Sequence, residues 1–334
     1  MTTDRAWLDL TEETVLEPEL PIIDPHHHLW DRPENRYLLD DLEEDAETHD
    51  VRQTVFIECG SMYREDGPSD LEPVGETEFV EGVAVDSLAR ANQLRACTGI
   101  VGSADLTLGR EVGRVLAAHL AASPERFRGI RHRAAWDASE EVSPTRAKAT
   151  PGLLVDDAFR EGFGELTARG LSFEAWLFHP QIPELVDLAG AFPDATIIVN
   201  HLAGPLGVGP YAGRRPEVFA QWKAGISELA QHPNLVMKVG GIQMPVNGFG
   251  WHERPRPPTS DELLAVNRDW YLHAIDAFGP ERCMFESNFP VDKQSCSYTV
   301  LWNQFKKLTA GFSKADRAAL FHDTALRVYR LEAS

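Results

Sequence analysis

Three consecutive histidines, His26, His27 and His28, stand in the stretch PIIDPHHHLW near the start of the chain. In a β-strand, residues two apart point to the same face, so His26 and His28 would share a face that His27 does not. Neutral imidazoles bind zinc, and they also transfer protons near neutral pH. The pair is therefore a candidate for metal binding or acid–base catalysis, with two structural histidines as the alternative.

Other short apolar segments of the chain also end in polar side chains. The residues at or near these ends are Glu58, Arg131, His132, Arg133, His179, His201, Glu286, Asn288 and Asp292. Imidazoles and carboxylates transfer protons in many enzymes, and guanidinium groups bind anions. If the fold brings these segment ends together, they form one catalytic site.

Eight apolar segments rich in β-branched residues are each followed by a turn and a stretch with helical spacing. They read PIID, TVFIECG, CTGIVGS, RGIRHRA, LSFEAWLF, ATIIVNH, NLVMKVGG and CMFESNF. No Gly-rich dinucleotide or phosphate loop follows any of them, which disfavours an open nucleotide-binding sheet. The pattern predicts an α/β fold, a single (β/α)8 TIM barrel over residues 1–334 with an N-terminal extension at 1–20. Catalytic groups of such barrels gather at the carboxyl ends of the strands.

Two long connections, GPLGVGPYAGRRP and IQMPVNGFGWHERPRPPTS, are rich in Gly and Pro and follow the sixth and seventh strands. They carry arginines that the barrel would direct to the same rim as Arg131 and Arg133, namely Arg214, Arg215, Arg254 and Arg256. Guanidinium groups bind carboxylates in a bidentate manner, so the rim predicts a small anionic substrate. Trp251 is a candidate for an apolar wall of the pocket.

Composition limits the classes of partner and compartment. The formal net charge is −20 over 334 residues, which disfavours binding to nucleic acid and to anionic membranes. No apolar stretch approaches membrane-spanning length, and the N-terminus lacks a basic, then apolar, leader pattern. The four scattered cysteines show no metal or disulfide spacing. We expect a cytoplasmic protein, and a homo-oligomer stays open.

Three motifs, DPHHHLWD, NHLAGP and RCMFESNFPVD, resemble the amidohydrolase superfamily, in the branch related to 2-pyrone-4,6-dicarboxylate lactonase and sugar lactonases. The resemblance extends from Asp24 to the final FHDTALRVYRL. It implies that His26 and His28 are the first-strand histidines, His201 the sixth-strand and His179 the fifth-strand histidine, all as metal ligands. For His179, in LFHPQ, a capping role before Pro180 is the alternative.

The eighth strand departs from the pattern of that family, which usually has a Gly-Ser-Asp-Trp-Pro type of sequence. This chain has ESNFP, so Asn288 replaces the aspartate that binds metal or activates water. An amide does not accept a proton near neutral pH. The base is then Glu58, Glu286 or Asp292, unless these carboxylates only form structural ion pairs, for example with Arg131 or Arg282.

The resemblance also limits the cofactor and the reaction. RGIRHRAAW lacks the lysine that bridges two metals at the fourth strand in this superfamily, so we expect one divalent metal, with zinc favoured, or none. The leading function is a hydrolase that opens a small, carboxylate-bearing lactone. The alternatives are a metal-dependent decarboxylase of a small aromatic acid and a non-hydrolytic binding protein that has lost its base.

Overall fold

A computed structural model describes residues 5–33, 35–142 and 149–333 of the chain. Eight parallel strands pair with one another in chain order, and a short antiparallel hairpin, β2 and β3, follows the first of them. The strands are Ile22–His27 (β1), Trp30–Arg32 (β2), Asn35–Tyr37 (β3), Val51–Ile57 (β4), Arg95–Gly102 (β5), Phe127–Ile130 (β6), Ser172–Ala175 (β7), Ile197–Val199 (β8), Leu235–Gly240 (β9) and Cys283–Glu286 (β10).

The first and eighth barrel strands, β1 and β10, meet just beyond their carboxyl ends. His27 and Phe289 form a parallel bridge there. The amide of Asn288 donates to the carbonyl of His26 at 2.9 Å, and the amide of His28 donates to Phe289 at 2.8 Å. These bonds close the sheet, which confirms the predicted (β/α)8 barrel. They also fix the histidines of β1 against the sequence ESN, which ends β10 and continues just beyond it.

Helices surround the strands, as the helical spacing between the apolar segments predicts. In the fourth helix, Val112, Val115 and Leu116 are fully buried. The helices are Arg5–Leu8 (α1), Leu39–Ala46 (α2), Val74–Ala89 (α3), Val112–Ala122 (α4), Asp157–Ala168 (α5), Ile182–Ala191 (α6), Arg215–Leu229 (α7), Ser260–Phe278 (α8), Tyr298–Leu308 (α9), Lys314–Ala318 (α10) and Thr324–Val328 (α11), with a π-helical stretch at Ala319–Asp323. Within the described ranges, none has the length and apolarity to cross a bilayer.

The C-terminal residues pack against the barrel interior at its amino end. Val328 and Tyr329 belong to the same apolar cluster as strand residues, among them Ile23, Val55, Val101, Ile198 and Met284. Arg128, near the start of β6, donates to the carbonyl of Tyr329 at 2.6 Å, and Gln53 in β4 donates to that of Glu332 at 2.8 Å. The amino end of the barrel is therefore closed, and the carboxyl end is the one that offers a site.

Asp24, a fully buried carboxyl in β1, connects the first and last barrel strands. Its Oδ1 accepts the amide of Ser287 at 3.0 Å and that of His26 at 3.3 Å, and its Oδ2 accepts the hydroxyl of Tyr298 at 3.1 Å. Burial raises the pKa of Asp24 from 3.8 to about 6, and the hydrogen bonds only partly offset this. The carboxyl thus holds a proton in the folded protein at pH values where it is ionised in the unfolded chain.

This shift predicts a pH dependence of stability. Because the folded-state pKa is raised, the contribution of Asp24 is complete below pH 4 and is lost as the pH rises towards 6. We expect wild type to lose up to about 3 kcal/mol in free energy of unfolding, relative to Asp24→Asn, between pH 4 and pH 7. Urea denaturation at each pH measures the difference. Asp9→Asn, at an exposed position, is the control, and parallel curves for wild type and Asp24→Asn would contradict the prediction.

Candidate active site

A cavity of about 230 Å³ opens at the carboxyl end of the barrel. It is bounded by residues that follow the first, second, fourth, fifth, sixth, seventh and eighth barrel strands. The residues are His28, Trp30, Arg32, Cys59, Arg131, Arg133, Trp176, His201, Met244, Asn288 and Val291. Strand ends that are far apart in sequence therefore contribute to one pocket, as the barrel requires.

Glu286, the last residue of β10, lies fully buried between two imidazoles. Its Oε1 accepts the Nδ1–H of His201 at 2.8 Å and also contacts the amide of His201 at 3.2 Å. Its Oε2 lies 2.8 Å from Nδ1 of His26. Burial lowers the pKa of His201 although Glu286 opposes the shift, and burial with nearby cations lowers that of His26 well below its usual range. Both rings are neutral at pH 7.

Local backbone geometry orients His201 towards Glu286. His201 to Gly204 all have positive φ, between 51° and 56°, which is uncommon for residues other than glycine. Gly240, the last residue of β9, and Gly241, which follows it, leave the space that the side chains of His201 and Glu286 occupy. A Cβ on Gly241 would lie 1.9 Å from Nδ1 of His201, and one on Gly240 would lie 2.6 Å from Cγ of Glu286.

Hydrogen bonding also fixes the tautomer of His28. Its Nδ1 lies 2.8 Å from the carbonyl of Ile57, so this nitrogen carries the proton and Nε2 keeps its lone pair. Burial lowers the pKa of His28 well below its usual value. Within the described residues, neither Nε2 of His28 nor Nε2 of His201 has a hydrogen-bond partner, and both residues line the cavity. Two imidazole lone pairs are therefore available to a ligand.

Two arginines hold Glu58 and provide positive charge to the cavity wall. Nε of Arg131 donates to Oε1 of Glu58 at 2.7 Å, and Arg133 binds both carboxylate oxygens at 2.8 and 2.9 Å. Burial acts to raise the pKa of Glu58, but the two guanidinium groups lower it overall. With Arg32, three guanidinium groups line the cavity, and two of them are paired with Glu58. The contacts of Glu58 therefore agree with the alternative that this carboxylate forms a structural ion pair with Arg131.

Asn288 lines the cavity in a left-handed backbone conformation, with φ of 55°. Its Nδ2 donates to Oδ1 of Asp292 at 3.0 Å, and Oδ2 of Asp292 accepts the amide of Gln243 at 3.2 Å. Burial raises the pKa of Asp292 well above its ordinary range. Asp292 therefore supports Asn288 from behind, and among the three candidate carboxylates Glu286 is the one that contacts histidine.

Several residues expected at the pocket lie elsewhere. His179 starts a single-turn helix, where its Nδ1 accepts the amide of Leu206 at 3.3 Å and its ring packs edge-on against Tyr211. His132 borders a neighbouring cleft of about 620 Å³, which is also lined by Glu58 and shares Arg133 with the cavity.

The two long loops also differ from the expectation that their side chains line the pocket. Their charged and aromatic side chains instead contact other residues of the loops or of the helix that follows. Arg214 is exposed at the start of α7. Trp251 is buried and donates to Gln243 at 2.9 Å instead of forming a pocket wall. Arg254 and Arg256 pair with Glu262, and Arg215 donates to loop carbonyls. Among the described residues, the arginines that line the cavity are Arg131 and Arg133, which follow β6, and Arg32 of β2.

Sequence reasoning missed a buried ion pair inside the barrel. Lys238 of β9 and Glu174 of β7 are fully buried, and Nζ lies 2.9 Å from Oε2. The same Nζ lies 3.2 Å from Nδ1 of His26. The signal was present, since each residue is a lone charge within an apolar strand segment, NLVMKVGG and LSFEAWLF. Trp30 and Trp176, which form aromatic cavity walls, carried no comparable signal.

One group of residues fits a divalent metal by donor type. His26, His201 and Glu286 each offer a ligand atom within 4.8 Å of the others. Two neutral imidazoles with a carboxylate form a donor set that suits zinc. His28 and His179, which were expected to complete a four-histidine set, are outside this group. Glu286, which the sequence suggested as a base, is instead the third member of this group.

Known proteins resemble the chain over nearly all of its length. The family model described as amidohydrolase matches residues 23–331. The uncharacterized protein y4mH of Sinorhizobium fredii is 33% identical, with 94% of this chain and 99% of that protein covered. The L-fucono-1,5-lactonase of Burkholderia multivorans is 26% identical, with 92% and 96% covered.

A crystal structure of an amidohydrolase from Burkholderia multivorans with bound zinc superimposes with a TM-score of 0.72 at 23% identity, covering 93% of this chain and 99% of that one. This likeness concerns the fold. The family model and the y4mH match establish the relationship itself, and they confirm the resemblance carried by the three motifs. The chain belongs to the amidohydrolase family.

Proposed function

We propose that the protein is a lactonase, which hydrolyses the ring ester of a small substrate that carries a carboxylate. The observation that carries the proposal is the pair of Glu286 and His201 beside a cavity walled by Arg131 and Arg133. An imidazole with a fixed tautomer next to guanidinium groups suits water attack on an ester of an anionic molecule. The related L-fucono-1,5-lactonase supports the same class of reaction.

In this mechanism His201 is the general base. Glu286 binds Nδ1–H, so the Nε2 lone pair accepts a proton from water as the water attacks the carbonyl carbon. The negative charge of Glu286 stabilises the imidazolium that forms. The imidazolium then returns the proton to the alkoxide of the opening ring. The missing eighth-strand aspartate is thereby replaced by a carboxylate two residues earlier acting through histidine.

The remaining cavity residues bind and orient the substrate. Arg131 and Arg133 stabilise the charge that develops on the carbonyl oxygen and hold the carboxylate of the substrate. Asn288, whose Nδ2 donates to Asp292, lines the same region. Trp30 and Trp176 pack against the ring, and a volume of about 230 Å³ suits a molecule of one ring.

In an alternative, metal-loaded form, a divalent metal, with zinc favoured, would be held by His26, His201 and Glu286 in place of the hydrogen bond between His201 and Glu286. When bound, it would polarise the ester carbonyl and lower the pKa of water. We also propose one barrel domain and a location in the cytoplasm. Four buried cysteines without disulfides agree with a reducing compartment.

Exchanging carboxylates for amides tests the base. We expect Glu286→Gln to lower kcat by about 10²–10⁴-fold with little change in KM, because the amide does not stabilise imidazolium. Glu58→Gln and Asp292→Asn should keep much more activity. Steady-state kinetics with a panel of sugar and dicarboxylate lactones provides the measurement. Carbon dioxide released from an aromatic acid would instead identify a decarboxylase, and ligand binding without any turnover would identify a binding protein.

Arginine exchange tests the charge of the substrate. Arg133→Gln should raise KM for a carboxylate-bearing lactone by about 10–100-fold, since a hydrogen bond to a charged group is lost. A neutral lactone of the same ring size should be affected less than about threefold. Glu58 keeps Arg131 as partner in this variant. Arg214→Gln, which changes an exposed arginine outside the cavity, is the matched control. Equal effects on both lactones would refute the anionic preference.

Glycine exchange tests the orientation of His201. We expect Gly241→Ala to lower kcat at least about 10-fold, because the new Cβ would displace the imidazole from Glu286. Gly213→Ala is the control, since Gly213 also has a positive φ but no atom within 4 Å of its added Cβ. Thermal melts separate misorientation from unfolding. The prediction is wrong if both folded variants retain wild-type kcat.

A further inference from the structure

Lys238 is a fully buried ammonium group that does not line the cavity. It lies in β9 with Nζ directed at two partners, Oε2 of Glu174 at 2.9 Å and Nδ1 of His26 at 3.2 Å. Burying an ammonium is costly even when it is paired. An apolar residue at this position would fill the barrel without that cost, so the charge itself calls for an explanation.

Glu174 is held rigidly, and it therefore holds Lys238. It accepts hydrogen bonds from the hydroxyl of Tyr329 and from Nδ2 of Asn200, in addition to the ammonium group. These partners come from the C-terminal segment and from the residue after β8. The ammonium group is thus fixed next to His26 by a network that does not involve the cavity.

Both ring nitrogens of His26 already have a positively charged neighbour. Nδ1 lies 3.2 Å from Nζ of Lys238, and Nε2 lies 3.4 Å from Nη1 of Arg131. Whichever nitrogen coordinated a divalent ion, the ion would be placed close to one of these cations. Charges of the same sign at such distances repel strongly in a buried site. The donor set fits a metal, but the surrounding charges oppose it.

We propose that Lys238 is a built-in cation that limits metal binding at His26, His201 and Glu286. The ammonium group places positive charge beside His26, so the side chains of His26, His201 and Glu286 keep their geometry without a metal and bind divalent ions weakly. Lys238 acts here through His26 and does not contact the substrate. The proposal rests on the geometry of these residues and does not depend on the lactonase reaction.

Zinc titration by calorimetry into chelator-treated protein tests the proposal without any substrate. We expect Lys238→Met to bind zinc at least about 10-fold more tightly than wild type, since the repulsion is removed. Glu174 keeps Tyr329 and Asn200 as partners in that variant. The double variant Glu174→Gln with Lys238→Met removes both charges together and serves if the single variant does not fold. It should show the same direction of change.

Two controls isolate the charge at this position. Lys238→Arg keeps the positive charge and should bind zinc as weakly as wild type. Lys306→Met removes another buried lysine, which binds the carbonyls of Leu16 and Glu17 in the N-terminal extension, and should leave zinc affinity unchanged. The proposal is overturned if the neutral variants bind zinc no more tightly than wild type, or if Lys238→Arg tightens binding as much as Lys238→Met. Loss of lactone turnover in any variant does not bear on this outcome.

Discussion

The placement of one buried carboxylate, Glu286, governs the rest of the site. A glutamate at the end of a barrel strand is stable only when its charge is matched by donors. Here His201, from the turn after β8, donates to one of its oxygens, and His26 of β1 lies 2.8 Å from the other, so three strands must converge within this distance. The positive φ of His201 and the two glycines that end β9 are the backbone conditions for this convergence.

The strand pattern was sufficient to predict the fold, because barrel strands buried on both faces are continuous apolar segments. The site was predictable to the extent that it depends on strand ends. His28, Arg131, Arg133, His201 and Asn288 all line the cavity, and Glu286 lies directly behind it. For these residues, sequence position and spatial position are linked by the barrel itself.

Residues on loops and in the barrel interior were predicted less well. Arg254, Arg256 and Trp251 follow β9 in sequence, but their partners are within their own loop or the following helix, and no periodicity reports such pairings. His179 lies beyond the end of β7, in a single-turn helix, and does not line the cavity. To predict the ion pair of Lys238 and Glu174, two charges on different strands must be matched across the barrel, and the pattern along the sequence does not specify such a match.

The closure of the barrel by its C-terminal residues has a consequence for biosynthesis. Strand β1 obtains its second neighbour only after residue 283 has been made, and Glu174 obtains the hydroxyl of Tyr329 only after residue 329 has been made. Chains grow from the amino terminus, so a nascent fragment that stops before Tyr329 lacks one donor of the charge network. The contacts that fix Lys238 beside His26 therefore join the first strand of the barrel to some of the last residues that the ribosome adds to it.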